Sequence, residues 1–583
     1  MHSLEPETTP NSPSCRFEGF FLQMVRPGLA TRCEDIIRKI LGTDWQIKPI
    51  GDSTTKFEIT KGDDALSVKQ AWDKTYELRS QPGIIDAEPL FAVPVPERRD
   101  WDTGLKPDFA IFNNQIAAES SDVTWGLQQI RVLDAWQKYF PDPHHPPGHG
   151  IIIAHPDTGY TEHPEIIPNL LLEQSFNFLR PNQKPLDNLE TSGGEIINNP
   201  GHGTSTASLA ISPPGPQATY PNGKYIVGVA PGAKLLPLRV TYSVVLLSVR
   251  NLAEAIEYAT DQGCHIITIS LGTAFANQRL RSAILYAQKR GVIIVAAAGT
   301  MVPYVVYPAA YDEVIAVTSS NIRREVWWGA SRGRQVDVTA PGESLWHAKT
   351  RKNASGEFTF NIEQDSGTSF SAPIVAGVAA LWLSYHGRDN LIARYGEEKI
   401  PFIFNQLLRD SCEKFPTWRP NRFGAGIVNT EKLLAAPLPD YVHQAVRPPA
   451  FALQQHTPID SGEWETFMHL FESVMVDSPT PEKTSIDGSK LRVILAELLE
   501  VPETDLEAKL KQVGQELAFH LITNPDLYHQ LIAVLRDDCQ SGTENIPKSQ
   551  FKTTLPSQNN NHNQLSLGKL LREQDISHVL AGK

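Results

Sequence analysis

Apolar residues between Arg16 and Pro94 alternate between two spacings, every second residue and every third or fourth. The alternation predicts a strand over Phe17 to Val25, a helix over Arg32 to Leu41, and strands over Trp45 to Ile47 and Lys56 to Ile59. A helix over Leu66 to Leu78 and a strand over Ile84 to Val93 follow. This β-α-β-β-α-β order over residues 16–94 is ferredoxin-like. Residues 95–121 carry prolines and charges with few periodic apolar positions, and read as a linker.

From Asp122 the pattern changes to strands that are apolar throughout, joined by helices. The strands are Gly150 to Ala154, Leu235 to Val240, His265 to Ser270, Val292 to Ala298 and Val314 to Thr318. The helices are His202 to Ile211, Asn251 to Gln262 before Gly263, and Asn277 to Arg290 before Gly291, with a last core helix from Ser369 through Trp382. Strands without a polar face are buried on both sides, so residues 122–439 read as an α/β domain with a parallel sheet between two helical layers. The polar stretch Arg180 to Asn199 reads as a surface insertion. Farther on, Trp464, Phe467, Met468, Phe471 and Val474 recur at spacings of three and four. So do Leu506, Leu510, Val513, Leu517 and Leu521, which predicts amphipathic helices packed on each other over 440–539. Residues 540–583 are a low-complexity tail ending in a short helix, and residues 1–15 a disordered start.

Length alone requires several cores, because 583 residues exceed what one hydrophobic core supports. No apolar run is long enough to span a bilayer, and the first fifteen residues lack the basic start and apolar centre of a secretory signal, so a cytoplasmic protein is expected, with no membrane partner. A net charge of -13 argues against nucleic acid, whose binding needs clustered lysine and arginine. Five scattered cysteines without a C-x-x-C pair suggest free thiols, and Cys264, at the start of a buried strand, a core thiol.

The candidate chemistry lies in three short words: Asp157-Thr158-Gly159, Gly201-His202-Gly203-Thr204, and Gly367-Thr368-Ser369-Phe370-Ser371-Ala372-Pro373. Taken singly they are a turn, a tight loop and a helix cap. Together they supply a carboxylate, an imidazole and a hydroxyl, each beside a strand end or a helix start. A serine hydroxyl is a weak nucleophile that needs a base, and the base needs an orienting carboxylate.

Words and order resemble the subtilase family of serine proteases. Trp125-Gly126-Leu127, Ile130 and Ala135-Trp136 resemble that family's entry helix, and Phe423 to Asn429 with Lys432-Leu433-Leu434 its closing segment. The resemblance implies a serine endopeptidase with Asp157, His202 and Ser369 as its triad, working through an acyl-enzyme on peptide or protein substrates. It also implies a propeptide-like N-terminal domain that assists folding and inhibits. Whether that domain is removed stays open, because no clear cleavage site is visible. Ser270-Leu271-Gly272 would line the primary specificity pocket, Ala297-Ala298-Gly299 its facing wall, and Val306, before Tyr307-Pro308, its floor. A branched apolar floor favours small or medium uncharged side chains.

One position departs from the family. Where subtilases carry an asparagine that helps hold the oxyanion, this chain has Thr300. Loss of one such donor costs about 2.7–4 kcal/mol in a subtilisin. Thr300 donates directly, donates through water, or yields the role to another residue such as Asn321, or else the enzyme is slow. The backbone N–H of Ser369 remains in every case. A catalytically silent peptide-binding protein is the alternative reading.

Other features carry less. His144, His145 and His149 lie in a proline-rich loop and read as idle, and His155 and His163 read as supporting or surface groups near the acid. Calcium is common in the family, but no acidic loop here has ligand spacing, so no metal or cofactor is expected. The C-terminal helices read as a surface for a regulatory protein partner.

Overall fold

The computed structural model describes residues 16–25, 30–50, 53–61, 66–92, 120–189, 199–246, 248–273, 276–301, 305–353, 355–415, 418–440, 488–523 and 576–580. The expected disordered start, nearly all of the linker, the helix around Trp464 and all of the polar tail but residues 576–580 lie outside the described residues. The chain forms two units. One comprises Met1–Thr103, His456–Glu472 and Ser478–Lys583, and the other Gly104–Gln455 and Ser473–Asp477.

In the first unit the expected order is present: β1 (Arg16–Met24), α1 (Ala30–Leu41), β2 (Gln46–Pro49), β3 (Lys56–Thr60), α2 (Val68–Arg79) and β4 (Ile84–Ala92). The strands form an antiparallel sheet in the order β2-β3-β1-β4, which is ferredoxin-like. Strand alternation sorts the side chains: Phe20, Leu22 and Met24 of β1 pack with Ile37, Ile40 and Leu78 of the helices, whereas Phe21 joins Ile50 and Leu90 in a separate cluster. A capping box sets the start of α2, with Ser67 accepting from Gln70 N and the Gln70 side chain accepting from Ser67 N.

The second unit begins with α3 (Trp125–Gln129) and α4 (Val132–Tyr139), followed by β5 (Ile152–Asp157) and β6 (Phe176–Asn177). Next come α5 (His202–Ile211), β7 (Lys234–Arg239), α6 (Arg250–Asp261), β8 (Ile266–Ile269), α7 (Gln278–Lys289) and β9 (Ile293–Ala297). Then follow β10 (Ile315–Ser320), β11 (Val338–Pro341), β12 (Leu345–Lys352), β13 (Phe358–Asp365), α8 (Thr368–His386) and α9 (Ile400–Ser411). Seven strands form a parallel sheet in the order β11-β10-β9-β8-β5-β7-β6.

Alternation along these strands builds two cores, as wholly apolar strands require. Ile153, Ile266, Ile293 and Val295 face α8, while Ala154, Ile267, Ile294 and Ala296 face α6 and α7. α8 is apolar and long enough to cross a bilayer by length and composition, at mean hydropathy 1.3, a feature the reading of the sequence passed over. Yet 83% of its window is buried, as suits the central helix of a core. The antiparallel pair β12 and β13 was not anticipated; polar residues such as Arg351 and Glu363, paired with each other, dilute its alternation. The C-terminal helices α10 (Gly488–Leu498) and α11 (Leu506–Thr523) belong to the first unit. Leu506, Leu510, Val513 and Leu517 are all buried along α11, as their spacing predicts.

Beneath β11, Asp337 is fully buried; it accepts from Ala316 N at 2.9 Å and pairs with Arg409 of α9 at 3.1 Å. Removing one partner from a buried pair leaves an uncompensated charge. Arg409→Ala is therefore expected to cost about 3 kcal/mol of stability. Lys432→Ala, in an exposed pair with Glu413, should cost less than about 1 kcal/mol. Denaturant midpoints by tryptophan fluorescence distinguish the two.

Burial pushes the imidazoles of His163, His265, His347 and His386 down to about 4, from an ordinary 6.5. Between these values the unfolded chain binds protons that the folded chain refuses, so stability present above pH 6.5 is lost as pH falls toward 4. The denaturant midpoint at pH 5 is expected below that at pH 7.5; equal midpoints would contradict this.

Candidate active site

β5 delivers Asp157 to the carboxyl edge of the sheet, where crevices of open α/β sheets form. Its side chain is fully buried, and Oδ1 accepts from Thr158 N at 2.7 Å and faces His202 Nδ1 at 2.8 Å. Burial raises the carboxyl's pKa, but the His202 charge and hydrogen bond outweigh it and hold the group below its ordinary range. His202 opens α5, pressed tightly against the Asp157 loop. A Cβ on Gly203 would lie 2.1 Å from the Gly159 carbonyl oxygen, so no larger residue fits there.

Ser369 lies in the first turn of α8, where N–H groups lack intrahelical partners. Its Oγ donates to the Ser270 carbonyl at 3.4 Å, and Ser270 Oγ donates to the Ser369 carbonyl at 2.8 Å. Ser270 follows β8, the strand beside β5, so neighbouring strand ends carry the carboxylate and the support of the hydroxyl. Ligand-free sites often reach full catalytic hydrogen bonding only with substrate in place.

Thr300 sits against the same turn. Its Oγ1 accepts from Thr368 N at 3.0 Å and lies 3.1 Å from Thr368 Oγ1, which accepts from Gly299 N at 3.1 Å. These bonds stitch the end of the 297–300 segment to the start of α8. Asn321 is committed elsewhere: its amide donates to Glu325 at 3.1 Å.

The other expected pocket segments converge. Val306 N donates to the Ala298 carbonyl at 2.9 Å, and a Cβ on Gly272 would meet Val306 Cγ2 at 2.5 Å. The side chains of Leu271 and Ala298 point into the core under α6 and α7, and Ala297 into the other core. These residues therefore offer mainly backbone to the crevice, which suits strand-like pairing with an extended peptide. The reading of the sequence missed residues 244–246: Gly272 N donates to Val244 O at 2.9 Å and Leu246 N to Gly272 O at 2.7 Å.

The sequence model described as "Subtilase family" matches residues 148–426. Thermitase of Thermoactinomyces vulgaris is 34% identical over 269 residues, 46% of this chain and 83% of its own length. The major intracellular serine protease of Bacillus subtilis is 30% identical over 316 residues, 51% of this chain and 85% of its own. The chain belongs to the subtilase family. As a subtilase it is a serine-type endopeptidase. The crystal structure of fervidolysin from Fervidobacterium pennivorans superposes with a TM-score of 0.51 at 21% identity, over 74% of this chain and 63% of that one, a likeness of fold.

Two supports of this subtilase's site become specific only in the structure. The stretch after Arg180 is more than a surface insertion. Asp187 is buried in it, accepts from Thr158 Oγ1 at 2.8 Å and Gly201 N at 2.7 Å, and so bolts the Asp157 loop to the start of α5. Of the supporting and surface roles left open for His155, its burial favours the supporting one. Its Nε2 lies 3.0 Å from Thr206 Oγ1, which can accept while donating to the His202 carbonyl at 3.0 Å, and the hydrogen is assigned to Nε2 on that basis. That N–H also faces Asp157 Oδ2 at 3.6 Å, an oxygen with no hydrogen-bond partner among the described residues. Burial pushes the His155 imidazole down, which keeps it neutral beside the acid.

His145 pairs with Asp142 at 2.7 Å in the proline-rich loop, and among the described residues no group of three or more histidine, cysteine, aspartate or glutamate side chains has metal-site geometry. His155→Leu is expected to lower kcat/KM by about fivefold, near 1 kcal/mol for a lost donor beside the carboxylate. His155→Gln, which keeps an N–H at that reach, should recover most of it. Steady-state kinetics on a peptide ester checks both.

Proposed function

We propose that this subtilase hydrolyses peptide bonds through Ser369, His202 and Asp157. The observation that carries the reading is the 2.8 Å pair between the buried Asp157 and His202 at the sheet edge, with Ser369 bonded to Ser270 at the end of the neighbouring strand. Ser369 Oγ attacks the substrate carbonyl carbon while its proton passes to His202 Nε2. Asp157, on Nδ1, fixes the tautomer and stabilises the imidazolium. His202 returns the proton to the leaving amine, leaving an acyl-enzyme. A water molecule then repeats the attack, releasing the acid and restoring Ser369.

The oxyanion is held by the Ser369 N–H, favoured by the helix dipole, and by the neighbourhood of Thr300. Thr300 Oγ1 already accepts from Thr368 N, so its own proton is the one donor it has for the oxyanion. The chemistry needs no cofactor. Val306 against Gly272 favours a small or medium uncharged side chain next to the scissile bond. The N-terminal domain is read as propeptide-like, its ferredoxin-like sheet being the support, and a cytoplasmic setting rests on the relative named as an intracellular protease.

A fluorophosphonate probe tests the reading. Wild-type protein is expected to label and Ser369→Ala to remain unlabelled. Folded wild type that fails to label after its N-terminal domain is detached would overturn the enzyme in favour of a silent peptide binder.

A further inference from the structure

The C-terminal helices have an apolar stripe, and what covers it decides whether they await an outside partner. On α11 the stripe is occupied from within the first unit. Phe519 packs on Phe91 of β4 with ring centroids 4.8 Å apart and on Trp72 of α2 at 6.1 Å. Beside it, Gln515 donates to Glu88 of β4 at 2.7 Å and accepts from Arg79.

Glu516 is the polar centre of this contact. Its carboxylate is fully buried, yet it accepts from Tyr76 Oη of α2 at 2.9 Å and from Ser577 N and Oγ at 2.6 Å each. Three donors from two distant segments converge on one buried charge. Burial, followed by the Glu516 charge, pushes the Tyr76 hydroxyl well above its ordinary range, so it stays a donor. The tail is pinned twice more, by His578 N to Asp73 of α2 at 2.8 Å and by Lys509 of α11 to the Val579 carbonyl at 2.9 Å. A buried carboxylate satisfied this way is costly to expose, which makes the contact specific as well as apolar.

We infer that α11 and residues 576–580 are the docking partner of the N-terminal domain, so that cutting the chain between residues 93 and 119 does not release that domain. The regulatory partner of the C-terminal helices is then the chain's own first domain. Processing converts a covalent link into a non-covalent complex of two chains, whose retention is set by the strength of this contact alone.

The test uses the full chain in a Ser369→Ala background, which makes the readout independent of proteolysis by the protein itself. Recognition sites for a specific protease are inserted between residues 95 and 119 and between 441 and 455, and a tag is placed at the C-terminus. After both cuts, the N-terminal fragment is expected to stay with the tagged C-terminal fragment through washing. Phe519→Asp is expected to reduce its recovery at least tenfold. The milder pair Tyr76→Phe with Ser577→Ala, which removes donors from Glu516 without adding charge, should reduce it severalfold. Release of the fragment from the unsubstituted chain, or equal retention in both variants, would overturn the inference.

Discussion

A single buried carboxylate organises the catalytic unit. Asp157 has no solvent to carry its charge, so the protein supplies the Thr158 N–H, the His202 imidazole and the nearby His155 N–H. Each of these depends on a different part of the chain. The Thr158 turn is bolted by Asp187, the start of α5 is pressed against Gly159, and His155 is fixed by Thr206 one turn into α5. An unpaired buried charge would be intolerable, so the fold closes around this one or does not close.

The side that carries the proposed nucleophile is organised differently. No charge is buried there; hydroxyls and backbone groups of Ser270, Gly299, Thr300 and Thr368 bind one another and the first turn of α8. Threonine at 300 fits this pattern, because its hydroxyl holds the Thr368 N–H that an unmodified helix start would leave open. The departure from asparagine is thus an exchange of reach for attachment.

Much of this was legible in the sequence where physics allows few solutions. Wholly apolar strands such as Ile293 to Ala297 permit little but a sheet covered on both faces, and short glycine-flanked words are what a crowded active site requires. Asp187 was illegible because a buried anchor in a polar stretch looks like any surface aspartate. His155 was left between a supporting and a surface role because burial of one imidazole depends on strand register and on Thr206, far along the chain. The hairpin of β12 and β13 was missed because its polar outer positions break the alternation, and the docking of α11 on α2 and β4 because it joins residues more than 400 positions apart.

The helix that carries Ser369 is also the most apolar of the described helices, its buried face running from Phe370 to Leu383 along the sheet. The proposed nucleophile and the cohesion of the core therefore share one rod. A surface loop bearing the nucleophile would tolerate local change while the core held, or loosen while it did. Here a repacking that shifts α8 moves the hydroxyl with it, so evolution cannot tune the interior of this domain without also retuning its chemistry.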